Sequence, residues 1–188
     1  MNEGDDDALA RELASAVEEA RGLGDRKEAG LRLERLADLC AQVPGPKMAD
    51  ALLLILDDDD PQVRVAAGEA LLDVGYERYA EVARAVERLL DSGKSGPALT
   101  EVPFVLAEIG EPSALPLLRR FVTHASPEVV ASGVEAMAQL GDPEAIADLK
   151  KLLTDEREVS VEDLEDGGAT IGELAEDAIA ELGGDEDE

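Results

Sequence analysis

Residues 126–154 read SPEVVASGVEAMAQLGDPEAIADLKKLLT, and residues 95–123 read SGPALTEVPFVLAEIGEPSALPLLRRFVT. The two align without a gap at an offset of 31. Gly110 matches Gly141, Pro112 matches Pro143, Ala114 matches Ala145 and Leu118 matches Leu149. Self-similarity at such a period marks a stack of supersecondary units. The frame extends both ways. Residues 60–75 match 126–141; residues 169–183 match 127–141 at an offset of 42; residues 31–46 match 128–143 more weakly, at an offset of 97. Closing turns are therefore expected at Pro44, Gly75, Gly110, Gly141 and Gly183. The interval from Gly75 to Gly110 is 35 and contains a short addition at Tyr76–Tyr79. The interval from Gly141 to Gly183 contains an eleven-residue insertion around Asp155–Gly168.

Each unit reads as two helices. Ala145, Ile146, Leu149, Leu152 and Leu153 carry the helical period in the first. Val129, Val130, Gly133, Ala136, Met137 and Leu140 carry it in the second. Nothing alternates with period two, so no strand is predicted. Asp60-Pro61 and Ser126-Pro127 place a capping side chain before a proline at the first helical position. Gly141 followed by Pro143 ends one helix and starts the next. The spacing predicts helices near 6–21, 27–42, 46–56, 61–74, 77–91, 97–109, 112–123, 127–140, 143–153 and 169–182, with Pro103 kinking or shortening its own. No pair can bury its apolar face alone, so the pairs stack. The expected organisation is an acidic N-terminus and first helix over 1–26, a repeat array over 27–183, and an acidic tail over 184–188.

Two stretches carry a family resemblance: Asp59-Asp-Pro-Gln-Val-Arg-Val-Ala-Ala-Gly-Glu-Ala-Leu71 and Leu140-Gly-Asp-Pro-Glu-Ala-Ile146. They resemble HEAT repeats, in the short prokaryotic variety also found in phycobilisome-lyase-like proteins. The resemblance covers roughly residues 27–183 and implies an all-α fold, a right-handed α-α superhelix of about five helix pairs. It also implies that the second helix of each pair lines the concave surface. Family members often place an Asp six residues before an Arg to join neighbouring repeats, and Asp58 and Arg64 match that spacing. Leu99, Val130 and Gly172 stand at the equivalent Arg positions, so a continuous Asp–Arg ladder is not expected.

Charge narrows the function. The 188 residues hold 45 Asp and Glu against 17 Lys and Arg, a formal net charge of −28. That excludes phosphate-backbone binding, which needs a basic surface. A 45% hydrophobic content separates the chain from acidic disordered tails. The longest strongly apolar run, Ala51–Leu56, is far short of a membrane span. The first residues, MNEGDDD, have neither basic region nor apolar core for export, and a cytoplasmic monomer is expected. Half of the charge, −14, lies in residues 155–188, where the acidic insertion and tail are read as loops and ends. Five Lys against 12 Arg, with Asp and Glu dominant, also suits a salt-rich cytosol.

The repeat alignment gathers the rest of the charge into columns. Asp38, Glu69, Phe104, Glu135 and Asp177 share one position of the second helices; Gln42, Asp73, Glu108, Gln139 and Glu181 share the position four residues later. Such positions lie on one helix face. Two adjoining acidic stripes, interrupted by Phe104, would focus a negative potential on a basic partner.

Catalytic, cofactor and metal sites are not read. Gly93-Lys94-Ser95 has Arg88 where a phosphate-binding loop needs its first glycine. Asp57–Asp60 lacks the spacing of a calcium loop and precedes Pro61, which fits a helix cap. Across 155–166, Arg157 and Val159 occupy ligand positions. His124 is the only histidine and Cys40 the only cysteine, which excludes a His-based or thiolate zinc site within one chain. Cys40 aligns with core positions and reads as a buried structural thiol. Arg119-Arg120 and Lys150-Lys151 stand where cations favour a helix C-terminus. The leading reading is a non-enzymatic scaffold that binds a protein partner. An acidic inhibitor or immunity-type protein masking a basic surface is the alternative. A bilin-lyase-like enzyme is a third, suggested by the resemblance alone.

Overall fold

The computed structural model describes residues 3–159 and 168–183. The elements are α1 (Glu3–Arg21), α2 (Arg26–Gln42), α3 (Pro46–Leu56), α4 (Pro61–Asp91), α5 (Ala98–Ile109), α6 (Ala114–Phe121) and α7 (Pro127–Leu140). A 3-10 turn, Pro143–Ala145, runs into α8 (Ile146–Leu149); β1 (Glu158–Val159), β2 (Ala169–Thr170) and α9 (Ile171–Glu181) complete the order. The fold class is an all-α solenoid. It is built as two compact units, Met1–Val105 and Leu106–Glu188.

Local chemistry places the helix starts. The Asp25 carboxylate accepts from the amides of Lys27 and Glu28, Asp60 from Gln62, and Ser126 Oγ from Val129. Each satisfies amides that the first helical turn leaves without a partner. Thr170 and Glu173 form a reciprocal capping box at the start of α9. Gly110, Gly141 and Gly183 take φ near +70°, the left-handed conformation that closes a helix at little cost to glycine.

In the first unit α1 and α2 each meet both the next helix and the next but one. α1 packs on α2 and α3, α2 on α3 and α4, and α3 on α4. That pattern is stacking of helix pairs. Leu33, Ala37 and Cys40 of α2, Met48, Leu52 and Ile55 of α3, and Val63, Ala67 and Leu71 of α4 are fully buried between the layers.

The helix expected to stop at Gly75 does not. Gly75 is helical and buried, and α4 continues to Asp91 with one non-helical residue, Arg78, at φ −139° and ψ 47°. The added residues Tyr76–Tyr79 amount to about one helical turn. They carry the helix past the glycine before the chain bends. Arg78 secures the bend: its Nη2 donates to the Ala41 carbonyl at 2.9 Å, and its Nε lies 3.5 Å from the Glu81 carboxylate. α2 has no basic residue in its own last turn, so Arg78 supplies the missing cation from another helix. α5 runs on through Pro103, which is buried inside it.

In the second unit α6 packs on α7, α7 on α9, and α8 on α9. The helix expected over 143–153 is shorter. After Leu149 the chain tightens, with Lys151 donating to Asp148, Leu152 to Leu149, and Asp155 to Leu152. This turn aims the Asp155 and Arg157 carbonyls at the first amides of α9, those of Gly172 and Ile171, both at 3.0 Å. Arg157 fastens the segment. It grips the Asp155 carboxylate with Nη2 at 2.6 Å and Nε at 2.9 Å, and donates from Nη1 to the Ala125 carbonyl at 3.1 Å. The Arg157 bond holds the Asp155 carboxyl below its usual range, against a smaller opposing effect of burial.

Strand structure, which the periodicity did not predict, occurs at the base of the insertion. β1 and β2 pair antiparallel, Glu158 with Thr170 and Val159 with Ala169. Two-residue strands carry no readable alternation, yet burial of Val159 and Ala169 fixes the pairing. Residues 160–167 of the expected insertion and the tail from 184 lie outside the described residues.

Candidate functional site

The buried stripe of α2 is Ala29, Gly30, Leu33, Ala37 and Cys40, and that of α4's first half is Val63, Ala67, Ala70, Leu71 and Val74. Helical geometry turns Asp38, Gln42, Glu69 and Asp73 away from those stripes, and all four are exposed. α2 and this half of α4 run side by side in one direction. At their starts, a Cβ on Gly30 would lie 3.5 Å from Val63 Cγ2; at their ends, Ala41 meets Arg78.

Between them lies a groove of about 730 Å³, lined by Asp38, Ala41, Gln42, Glu69, Ala70, Asp73, Tyr76, Glu77 and Arg78. A second depression of about 320 Å³ shares Glu69 and extends toward the helix starts past Glu34, Gln62, Val65 and Ala66. Glu34 and Asp38 on α2, and Glu69, Asp73 and Glu77 on α4, stand four residues apart, about 6 Å along each axis. Among the described residues, none of the Asp38, Glu69 and Asp73 carboxylates is held in an ion pair. Arg78, the one cation in the lining, is engaged with Ala41, Glu77 and Glu81.

The second unit carries the corresponding residues on a packed helix pair. Glu135 and Gln139 of α7, and Asp177 and Glu181 of α9, are all exposed. Partial desolvation raises the Glu135 carboxyl above its ordinary range. On α5, Phe104 is half-buried and Glu108 exposed. The column residues Asp38, Glu69 and Asp73 thus share one groove, and Glu135, Gln139, Asp177 and Glu181 share the α7–α9 pair. Glu34, Tyr76 and Glu77 belong to the first site although the repeat columns do not contain them. Glu34 was findable, since it stands four residues before Asp38.

Asp58 and Arg64 both join layers, but their side chains are not paired with each other. The buried Asp58 carboxylate accepts from Arg26 Nη2 at 2.9 Å and from the Asp60 amide at 3.0 Å. Arg64 reaches Asp58 only through its backbone carbonyl, at 3.2 Å, and directs Nε to Glu101 at 3.1 Å. Asp57 accepts from the Ala98 amide at the start of α5. Three of the four acids in Asp57–Asp60 therefore cap or tie helices. No group of three His, Cys, Asp or Glu that could hold a metal ion occurs among the described residues.

Arg119 and Lys151, one from each basic pair, share a carboxylate. Arg119 Nε donates to Asp148 at 2.6 Å and Lys151 Nζ to the same carboxylate at 2.7 Å. Burial works to raise the Asp148 carboxyl, but these two cations outweigh it and leave it below its usual range. His124 Nδ1 accepts from the Ser126 amide in the turn before α7. Cys40 is fully buried, and burial pushes its thiol up to about 11. Only the thiolate reacts. Labelling of the folded protein by a disulfide reagent at pH 8 should therefore proceed only as fast as opening exposes Cys40, and become immediate in denaturant. Because the folded thiol holds its proton longer than the unfolded one, stability should fall as pH rises from 9 toward 11. Fast native-state labelling would show that the site is open.

A family model described as HEAT repeats matches residues 98–163, about a third of the chain. Among solved structures, a designed armadillo repeat protein is similar at 20% identity, over 90% of this chain and 81% of its own, with a TM-score of 0.42. Another designed armadillo repeat protein, in complex with the peptide (KR)4, is similar at 18% identity over the same shares, with a TM-score of 0.42. Computationally designed armadillo repeat proteins for modular peptide recognition are similar at 15% identity, over 96% of this chain and 94% of theirs, with a TM-score of 0.40. None of the curated proteins matches this sequence.

Proposed function

We propose that the chain is a non-catalytic scaffold that binds a protein partner, bearing a basic patch, through the face of its second helices. The observation that carries this reading is the α2–α4 groove. Its Asp38, Glu69 and Asp73 carboxylates face solvent in regular register while the neighbouring Arg78 is committed elsewhere. Carboxylates gathered in a concave surface steer a cationic partner and speed its docking. The same potential repels a phosphate backbone or an anionic bilayer. The protein works on this reading as a cytoplasmic monomer.

The test is co-purification and crosslinking with the whole protein and with an Asp38→Lys, Glu69→Lys, Asp73→Lys variant. These positions are exposed, so the variant keeps its fold, checked by circular dichroism. The captured partner should carry a basic patch and bind the variant at least about tenfold more weakly, since like charges set against each other cost several kcal/mol. A partner that binds both proteins equally overturns this assignment of the face.

A further inference from the structure

We propose that Tyr76 and Asp73 form a seat for an arginine side chain, so that the groove selects partner segments bearing arginine over those bearing lysine. The inference rests on the partner reading above. An acidic groove alone attracts any cation; the aromatic ring adds the discrimination.

Tyr76 is 60% exposed, one of only four aromatic residues in 188, and it lines the groove rather than the core. Asp73 precedes it by three residues on the same helix, a spacing that puts the carboxylate and the ring on one face. The adjoining lining residues Ala41 and Ala70 are small, which leaves space beside the ring. A guanidinium is planar. It can stack on the ring while its edge donates to a carboxylate, whereas an ammonium is a compact, strongly hydrated point charge. Arg78 does not fill the seat, because its guanidinium is held by the Ala41 carbonyl and by Glu77 and Glu81. The occupant is therefore a protein segment that presents arginine, drawn in by the neighbouring carboxylates.

The experiment measures the affinity of the whole protein for two short synthetic peptides of one sequence, with arginine or lysine at the same positions spaced four apart. The arginine peptide should bind about two- to fivefold more tightly, the range of an exposed cation–aromatic contact. Tyr76→Ala should abolish that ratio while leaving the lysine peptide unchanged, and Tyr76→Phe should keep it. Equal affinities in the wild type, or a ratio that survives Tyr76→Ala, overturn the seat. If those equal affinities still collapse in the Asp38→Lys, Glu69→Lys, Asp73→Lys variant, the acidic groove stands and only the seat fails. Peptides that do not bind at all, or bind that variant undiminished, overturn both.

Discussion

Phe121→Ala should cost about 3–5 kcal/mol of stability, more than any other single truncation in the second unit. Phe121 is fully buried and is the only aromatic residue between Leu106 and Glu188. It ends α6, next to Gly133 of α7. A Cβ on Gly133 would lie 3.0 Å from Phe121 Cβ and from Val122 Cγ1, so the two backbones are already as near as a side chain allows. Helices in such contact cannot slide inward to fill a lost ring, and the cavity persists. Phe121→Leu keeps most of the volume and should cost less than about 1.5 kcal/mol. Urea unfolding monitored by far-ultraviolet circular dichroism measures both. The two tyrosines, Tyr76 and Tyr79, both lie in the other unit, so neither is a local probe of the Phe121 site. A loss below about 1 kcal/mol for Phe121→Ala would mean that the site collapses freely.

Gly172→Ala should destabilise the second unit by about 1–3 kcal/mol, the cost of overpacking. Helix propensity alone argues the other way, since alanine improves on glycine inside a helix by about 1 kcal/mol. Sterics decide the sign. A Cβ on Gly172 would stand 2.7 Å from the Leu153 carbonyl oxygen, a backbone atom that cannot swing aside. The Gly172 amide donates to the Asp155 carbonyl at 3.0 Å, which keeps the turn carrying the Leu153 carbonyl against the start of α9. Gly68→Ala supplies the contrast. Gly68 lies inside α4 with nothing within 4 Å of its Cβ position, so alanine there should stabilise by about 0.5–1 kcal/mol. Opposite shifts in melting temperature for the two substitutions are the expected result. A Gly172→Ala protein as stable as the parent would show that the α9 start can move.

Gly68 and Gly172 look alike as letters, and that marks how far the residues could be read. Features set by regular repetition were legible. The caps at Asp60 and Ser126, the left-handed glycines 110, 141 and 183, and the grouping of Asp38 with Glu69 and Asp73 all come from one frame and the helical period. Departures from repetition were not legible. The bend at Arg78 uses no glycine, because its φ of −139° suits any residue, and its anchor is a carbonyl 37 residues away. Tyr76 and Glu77 enter the groove only because α4 outlasts Gly75. Asp58 was recognisable as a tie between layers, but its partner Arg26 lies outside the Asp–Arg spacing that pointed to it.

The four residues Asp57–Asp60 have a consequence beyond capping. Asp57 holds the first amide of α5, Asp58 holds Arg26 at the start of α2, and Asp60 holds the start of α4. One short loop thus has a hand on three helix beginnings within the first unit. A stack in which layers touch only their neighbours can fray from its end, one layer at a time. A shared clasp opposes that, because releasing one helix start disturbs the loop that holds the other two. Amide protons of α2, α4 and α5 should therefore exchange as a single block. Asp58→Asn should divide the block, letting α2 open before the rest.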